Sequence, residues 1–164
     1  MQALFIGGMK SGKSRLAEAY TLKYAKKKPI YLATTELLDG EMNERIKQHK
    51  KQRAEQFTTL EEPLHLAQTV SKCEDIVLVE CVSMWLNNML YHGFNYENIE
   101  KEMQVILQNR QDKVFVLNDV GSGIIPDNAL AREFADISGK IAQLIASECD
   151  EVFHVIAGIG TKIK

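Results

Sequence analysis

The chain lacks most of the features that would place it outside the ordinary globular class. Cysteine is scarce: Cys73, Cys81 and Cys149 are odd in number, widely spaced and without metal-type pairing, which excludes a disulfide framework or a zinc module. Cys81 lies in an apolar run and reads as a small hydrophobe rather than a nucleophile. No apolar run approaches the roughly 20 residues of a membrane span. The apolar start is only a few residues long and runs straight into glycines, unlike a signal peptide. Excess positive charge is also missing. Lys and Arg total 20 against 22 Asp and Glu, a net charge of −2, which gives no support to nonspecific nucleic-acid binding. Low-complexity tracts, internal repeats and linkers are absent. The 164 residues suit one domain, 1–164, with a real core. The expected setting is a reducing cytoplasm, with no nucleic-acid partner and no membrane span.

What is present begins at residue 7. The stretch GGMKSGKS (Gly7, Gly8, Met9, Lys10, Ser11, Gly12, Lys13, Ser14) fits the spacing G-x-x-x-x-G-K-[S/T]. An apolar run precedes it and a helix-prone segment follows, the context that a phosphate-binding loop demands. The glycines permit a tight turn that aims successive N–H groups at one phosphate. The helix start adds free N–H groups and partial positive charge. Lys13 can reach the β- and γ-phosphates, and the Ser14 hydroxyl can ligate Mg²⁺. A nucleoside triphosphate is the expected ligand.

Short apolar clusters recur at residues 3–6, 30–33, 76–79, 114–117 and 152–157. Each is apolar on both alternating faces, the pattern of strands covered on two sides in a parallel sheet. Helical stretches are expected over 15–26, 40–55, 96–109 and 130–147. The last two carry Ile99, Met103, Ile106 and Leu107, and Phe134, Ile137, Ile141, Leu144 and Ile145, at helical spacing. Alternating strands and helices imply an α/β fold with right-handed crossovers. Pro29, Pro63 and Pro126 fall at element boundaries.

A nucleotide enzyme of this type needs a second acidic group near the metal, usually at the carboxyl end of a neighbouring strand. Glu80 ends the run Ile76-Val77-Leu78-Val79 and is the candidate for the metal shell; the alternative is a surface glutamate at a strand end. Asn118 and Asp119 follow another strand. Asp119 suits an acceptor hydroxyl, a metal or an Asx turn. Thr34 and Thr35 end a third strand and could bond phosphate or ribose, or cap a turn. His49 sits among Arg45, Lys50, Lys51 and Arg53. Positive neighbours lower a histidine's pKa, keep it nucleophilic and would bind the phosphates of a nucleotide it attacked; a solvated histidine on a basic helix is the other reading. Met84, Trp85 and Met89 share helical spacing and read as core or interface before ligand contacts.

These residues together resemble the bifunctional adenosylcobinamide kinase and adenosylcobinamide-phosphate guanylyltransferase family. The likeness runs in order through GGMKSGKSR with Ala17-Glu18, YLATT, then Asp39, Glu41-Met42, Arg45-Ile46, His49 and Arg53. It continues through Glu61, Pro63, VLVECVSMWLNNML, NDVGSGIIP, Arg132, Phe134, Asp136, Gly139 and GIGTKIK. The resemblance implies two reactions: phosphorylation of adenosylcobinamide by ATP or GTP, then transfer of GMP from GTP through a histidine to adenosylcobinamide phosphate. It implies nucleotide contacts from residues 7–14, Ala33, Thr34, Thr35, Lys50, Lys51, Arg53, Glu61 and Glu80. Lys13 and His49 carry the catalytic expectation, Ser14 and Glu80 the metal, Asn118 and Asp119 the acceptor. The implied fold is a P-loop NTPase domain, RecA-like and mostly parallel, ending in an antiparallel hairpin over 152–157 and 161–163, hinged at Gly158 and Gly160. The implied assembly is a small ring-like homo-oligomer, trimers in particular.

The sequence departs from that pattern in three places. Family members often carry two adjacent histidines, the first being guanylylated; this register reads Gln48-His49. The usual Asn-Glu-Val-Gly reads Asn118-Asp119-Val120-Gly121, and a common tryptophan is Phe57.

Overall fold

The computed structural model describes residues 1–36 and 55–164. The basic helix expected over 40–55, with Gln48, His49, Lys50, Lys51 and Arg53, lies outside the described residues except for Glu55.

Strands β1 (Gln2–Gly7), β2 (Ile30–Ala33), β3 (Thr58–Glu61), β4 (Val77–Glu80), β5 (Lys113–Asn118), β6 (Glu151–Ile156) and β7 (Ile159–Lys162) form one sheet. Their order is β3-β2-β4-β5-β1-β6-β7. All neighbours are parallel except the final β6–β7 pair. The helices are α1 (Lys13–Tyr24), α2 (Leu66–Val70), α3 (Val82–Tyr91), α4 (Tyr96–Gln108) and α5 (Ala129–Glu148). Among the described residues, no helix is long and apolar enough to cross a membrane.

Successive residues of a strand face opposite sides, and the continuous apolar runs fill both. Leu4, Leu32, Val77, Val79, Phe115 and Leu117 face one way and pack against α2, α3, α4 and α5. Ala3, Phe5, Tyr31, Leu78, Val114 and Val116 face the other, where Ala17 of α1 and Phe57 join them. Phe57 meets Tyr31 edge-on, with centroids 5.9 Å apart. The expected stripes of α4 and α5 are buried: Ile99, Met103, Ile106 and Leu107 on one, Ile137, Ile141 and Ile145 on the other.

Strand β3 and helix α2 have no counterpart among the sequence expectations, and α3 is foreshadowed only by the helical spacing of Met84, Trp85 and Met89. Strand β3 is a polar edge strand, Thr-Thr-Leu-Glu, with little buried apolar surface to announce it. Helix α2 has five residues, too few for a periodic signal. Helix α3 follows β4 with only Cys81 between, so its apolar residues merge with those of the strand. Within it Trp85 and Met89 are buried, and the indole N–H of Trp85 donates to Leu64 O at 2.9 Å. Core packing is therefore their role.

The buried thiols of Cys73 and Cys149 are held in the neutral form, Cys149 with its pKa pushed up to about 12 by burial. Lys113 is the one lysine sealed entirely in the core of the described residues. Its Nζ donates to Asn109 O and Gln111 O, each at 2.7 Å, closing carbonyls at and just beyond the end of α4. Burial lowers its pKa to about 8. The folded chain thus releases this proton before the unfolded chain, whose lysine titrates near 10.5, so its contribution to stability grows from pH 8 to 10.5. Lys113→Met should destabilise by about 1–2 kcal/mol near neutral pH through the two abandoned carbonyls. Urea unfolding should show a larger loss at pH 10; a smaller loss there would reverse the assigned sign.

Candidate nucleotide site

The site forms where the carboxyl ends of the parallel strands meet α1. Gly7 closes β1 beside Asn118 of β5 and Val155 of β6. The chain then turns through Gly8, Met9, Lys10 and Ser11, with Lys10 at φ 56° and Gly12 at φ 94°, and enters α1 at Lys13. Ser11 N–H donates to Gly8 O at 3.2 Å, tightening the turn. Helices α4 and α5 have their first N–H groups capped by the side chains of Asn95 and Asn128, respectively. Helix α1 starts at a glycine with no side-chain cap and no acidic residue in its first turn. Its leading donors and partial positive charge are the kind that suit a phosphate.

Lys13 is buried, and its Nζ donates to Gly8 O at 3.1 Å, so the ammonium lies across the loop. Ser14 Oγ donates to Glu80 Oε1 at 2.7 Å. The helix start and the end of β4 thus place two hard oxygen donors side by side. Mg²⁺ prefers such donors and takes its remaining ligands from water and nucleotide phosphates, so this pair fits it. Ser11 Oγ is buried with no hydrogen-bond partner among the described residues, a further polar group inside the loop. A cavity of about 510 Å³ opens here, lined by Lys10, Gly12, Lys13, Ser14, Arg15, Glu18, Tyr31 and Glu80. That volume suits a nucleotide-sized ligand.

Sequence reasoning did not pick out Arg15, Glu18 or Tyr31 as site residues. A usable signal existed for Glu18, which lies four residues after Ser14 and so shares its face of α1. Tyr31 lies inside the apolar run of residues 30–33, which reads as core rather than site.

The other expected residues divide. Ala33, Glu61 and Glu80 lie in register across β2, β3 and β4 at the same sheet edge. Thr34, just beyond β2, is fully buried, and its hydroxyl is engaged twice: Oγ1 donates to Cys81 O at 2.8 Å and accepts from Cys81 N–H at 3.0 Å. A hydroxyl so engaged does not face a phosphate or ribose. Thr35 is half-buried, and the next residue, Glu36, accepts from His92 Nε2 at 2.9 Å. Asn118 N–H donates to Ser83 Oγ at 2.9 Å, anchoring β5 to α3. Asp119 turns its carboxylate onto its own loop, accepting from Gly121 N–H at 3.3 Å and Ser122 Oγ at 2.6 Å, which is the Asx-turn geometry. Cys81 is not poised as a nucleophile: burial, then the adjacent Glu80 charge, pushes its thiol up.

The C-terminal hairpin closes over the loop. Gly158 N–H donates to Ser11 O at 2.7 Å. A Cβ on Gly12 would stand 3.0 Å from Gly158 Cα, and one on Gly7 would stand 2.3 Å from Val155 O.

The family described as cobinamide kinase / cobinamide phosphate guanyltransferase matches residues 3–163. The chain belongs to that family. It is 37% identical over 183 residues to "Bifunctional adenosylcobalamin biosynthesis protein CobU" of Escherichia coli, covering all of both chains. The Salmonella typhimurium CobU gives the same identity and coverage. "Bifunctional adenosylcobalamin biosynthesis protein CobP" of Pseudomonas aeruginosa is 34% identical over 171 residues, covering 100% of this chain and 98% of that relative. Among solved structures, the flagellar accessory protein FlaH from Methanocaldococcus jannaschii shares the fold, with a TM-score of 0.50 and 11% identity over 98% of this chain and 75% of that one. The α/β architecture with its closing antiparallel pair is therefore the one expected from the sequence, except at the hinge. The turn falls at Ala157 and Gly158, and Gly160 lies inside β7, paired with Val155.

Lys13→Ala should weaken binding of a nucleoside triphosphate roughly tenfold to a hundredfold, the value of one charge-assisted contact. The affinity for the matching monophosphate should change far less. Calorimetric titration measures both, and an equal loss for the two ligands would place Lys13 away from the β- and γ-phosphates.

Proposed function

We propose that the protein phosphorylates adenosylcobinamide with ATP or GTP and then transfers GMP from GTP, through a histidine, to adenosylcobinamide phosphate. The observation that carries this reading is the loop of residues 7–14 joined to Glu80 through Ser14, in a chain belonging to a family described by these two activities.

In the first reaction the acceptor hydroxyl oxygen bonds to the γ-phosphorus as the bridge to the β-phosphate breaks; the nucleoside diphosphate leaves, and the hydroxyl proton passes to solvent. Charge spreads over the γ-oxygens in the transition state, so catalysis is mainly positioning and electrostatic stabilisation. The N–H groups of the loop and of the start of α1 hold the phosphates, and the Lys13 ammonium neutralises the β- and γ-oxygens. Ser14 and Glu80 would hold Mg²⁺, which supplies further charge neutralisation when bound. Asn118, paired with Gly7 at the end of β5, and Asp119 just beyond it are the assigned acceptor residues, Asp119 after release from its Asx turn.

In the second reaction a histidine nitrogen attacks the α-phosphorus of GTP and pyrophosphate leaves. The acceptor's phosphate oxygen then attacks the same phosphorus and frees the histidine, so one difficult displacement becomes two easier ones. His49 is the assigned carrier, with Lys50, Lys51 and Arg53 as phosphate contacts. Gln48, standing where family members often have the first of two histidines, favours a second reading in which only the kinase activity is retained.

GTP labelled on its α-phosphate separates the two. Bifunctional protein should acquire acid-labile, base-stable label, and His49→Ala should lose it while still phosphorylating cobinamide. Label persisting in His49→Ala would move the carrier role elsewhere. Cobinamide phosphorylation with no label would establish the kinase-only reading.

A further inference from the structure

Glu80, which accepts from Ser14 Oγ, is followed in the chain by a peptide that Thr34 holds. The Glu80–Cys81 peptide lies just where β4 gives way to α3, and Thr34 holds both of its polar groups. Thr34 N–H donates to Glu80 O at 3.0 Å, and Thr34 Oγ1 accepts from Cys81 N–H at 3.0 Å. The same hydroxyl donates onward to Cys81 O at 2.8 Å. Thr34 is itself fixed, since Asn88 Nδ2 donates to Thr34 O at 2.7 Å and to Pro63 O at 3.2 Å. Asn88 on α3 and Thr34 are both buried, while Glu80 and Cys81 are half-buried. A threonine hydroxyl has one proton to donate and lone pairs to accept with, and both capacities are used on Cys81.

We infer that Thr34 is a positioning residue for the metal site: its hydroxyl fixes the Glu80–Cys81 backbone, and so the direction of the Glu80 carboxylate toward Ser14 and the Mg²⁺ of the bound nucleotide. Asn88 supports it from behind. The inference rests on the metal assignment of Ser14 and Glu80. Removing the hydroxyl without changing side-chain shape, as in Thr34→Val, leaves Cys81 N–H without its partner, while Cys81 O keeps the N–H groups of Met84 and Trp85. The end of β4 then relaxes, and the loss falls on the metal-bound form of the nucleotide. A direct phosphate or ribose contact by Thr34 would instead weaken binding with and without metal alike.

The test is calorimetric binding of a non-hydrolysable triphosphate to the full chain, in excess Mg²⁺ and in EDTA. Thr34→Val should bind the Mg²⁺ complex about tenfold more weakly, in line with the effect of removing a group that orients a metal ligand. Binding in EDTA should change less than about twofold, and Thr34→Ser, which keeps the hydroxyl, should restore the Mg²⁺-dependent affinity. Should Thr34→Val fail to fold, Thr34→Ala carries the same comparison. Equal weakening in both conditions, or no change in either, would overturn the role. Wild-type protein that binds equally with and without Mg²⁺ would overturn it together with the metal assignment beneath it.

Discussion

The closest constraint in the structure is the absence of two side chains. Gly7 and Gly12 let the phosphate loop lie directly under the last turn of the chain, where a Cβ would stand 2.3 Å from Val155 O or 3.0 Å from Gly158 Cα. The 2.7 Å bond from Gly158 N–H to Ser11 O then fastens hairpin to loop. The motifs GGMKSGKS and GIGTKIK, at opposite ends of the sequence, are thus one physical unit. Gly158 itself has φ 81°, which an L side chain adopts only at a cost. The loop's curvature is set from below by β1 and from the side by the hairpin, and so is the direction of its N–H groups.

The remaining parts of the site reach the loop through the sheet. Parallel pairing brings the ends of β1, β2, β3, β4 and β5 to one edge, the usual place for ligands in open α/β sheets. Helix α3 ties those ends together with buried polar groups: Ser83 to β5, Asn88 to the exits of β2 and β3, and Trp85 to Leu64. A helix whose main business is apolar burial therefore also fixes where the carboxylate of Glu80 sits. Hydrogen bonds of this kind are modest singly, but an unmet buried partner costs about 1–3 kcal/mol, so the arrangement has few alternatives.

The parts legible in the sequence were those with a strong local signal. The strand–loop–helix context of residues 7–14, the doubly apolar strands and the stripes of α4 and α5 all come from short-range pattern, and each lies where expected. Glu80 was placed by its position after an apolar run, and its bond to Ser14 gives that position a geometry. Strand β3 escaped because an edge strand need not be apolar, and α3 because its hydrophobic residues follow those of β4 almost without a break. Thr34 and Asp119 each carried a ligand reading and a local one. Only tertiary neighbours, Cys81 for one and the 121–122 turn for the other, distinguish them, and no spacing along the chain encodes those neighbours.

At the centre is transfer of a phosphoryl group to a corrinoid alcohol from the nucleotide that this loop holds. The most direct measurement is the mass of the corrinoid after incubation of adenosylcobinamide with the protein, Mg²⁺ and either ATP or GTP. The account predicts a product heavier by one phosphate, formed in step with loss of the nucleotide's γ-phosphoryl group. Nucleotide that binds but leaves the corrinoid mass unchanged would contradict it.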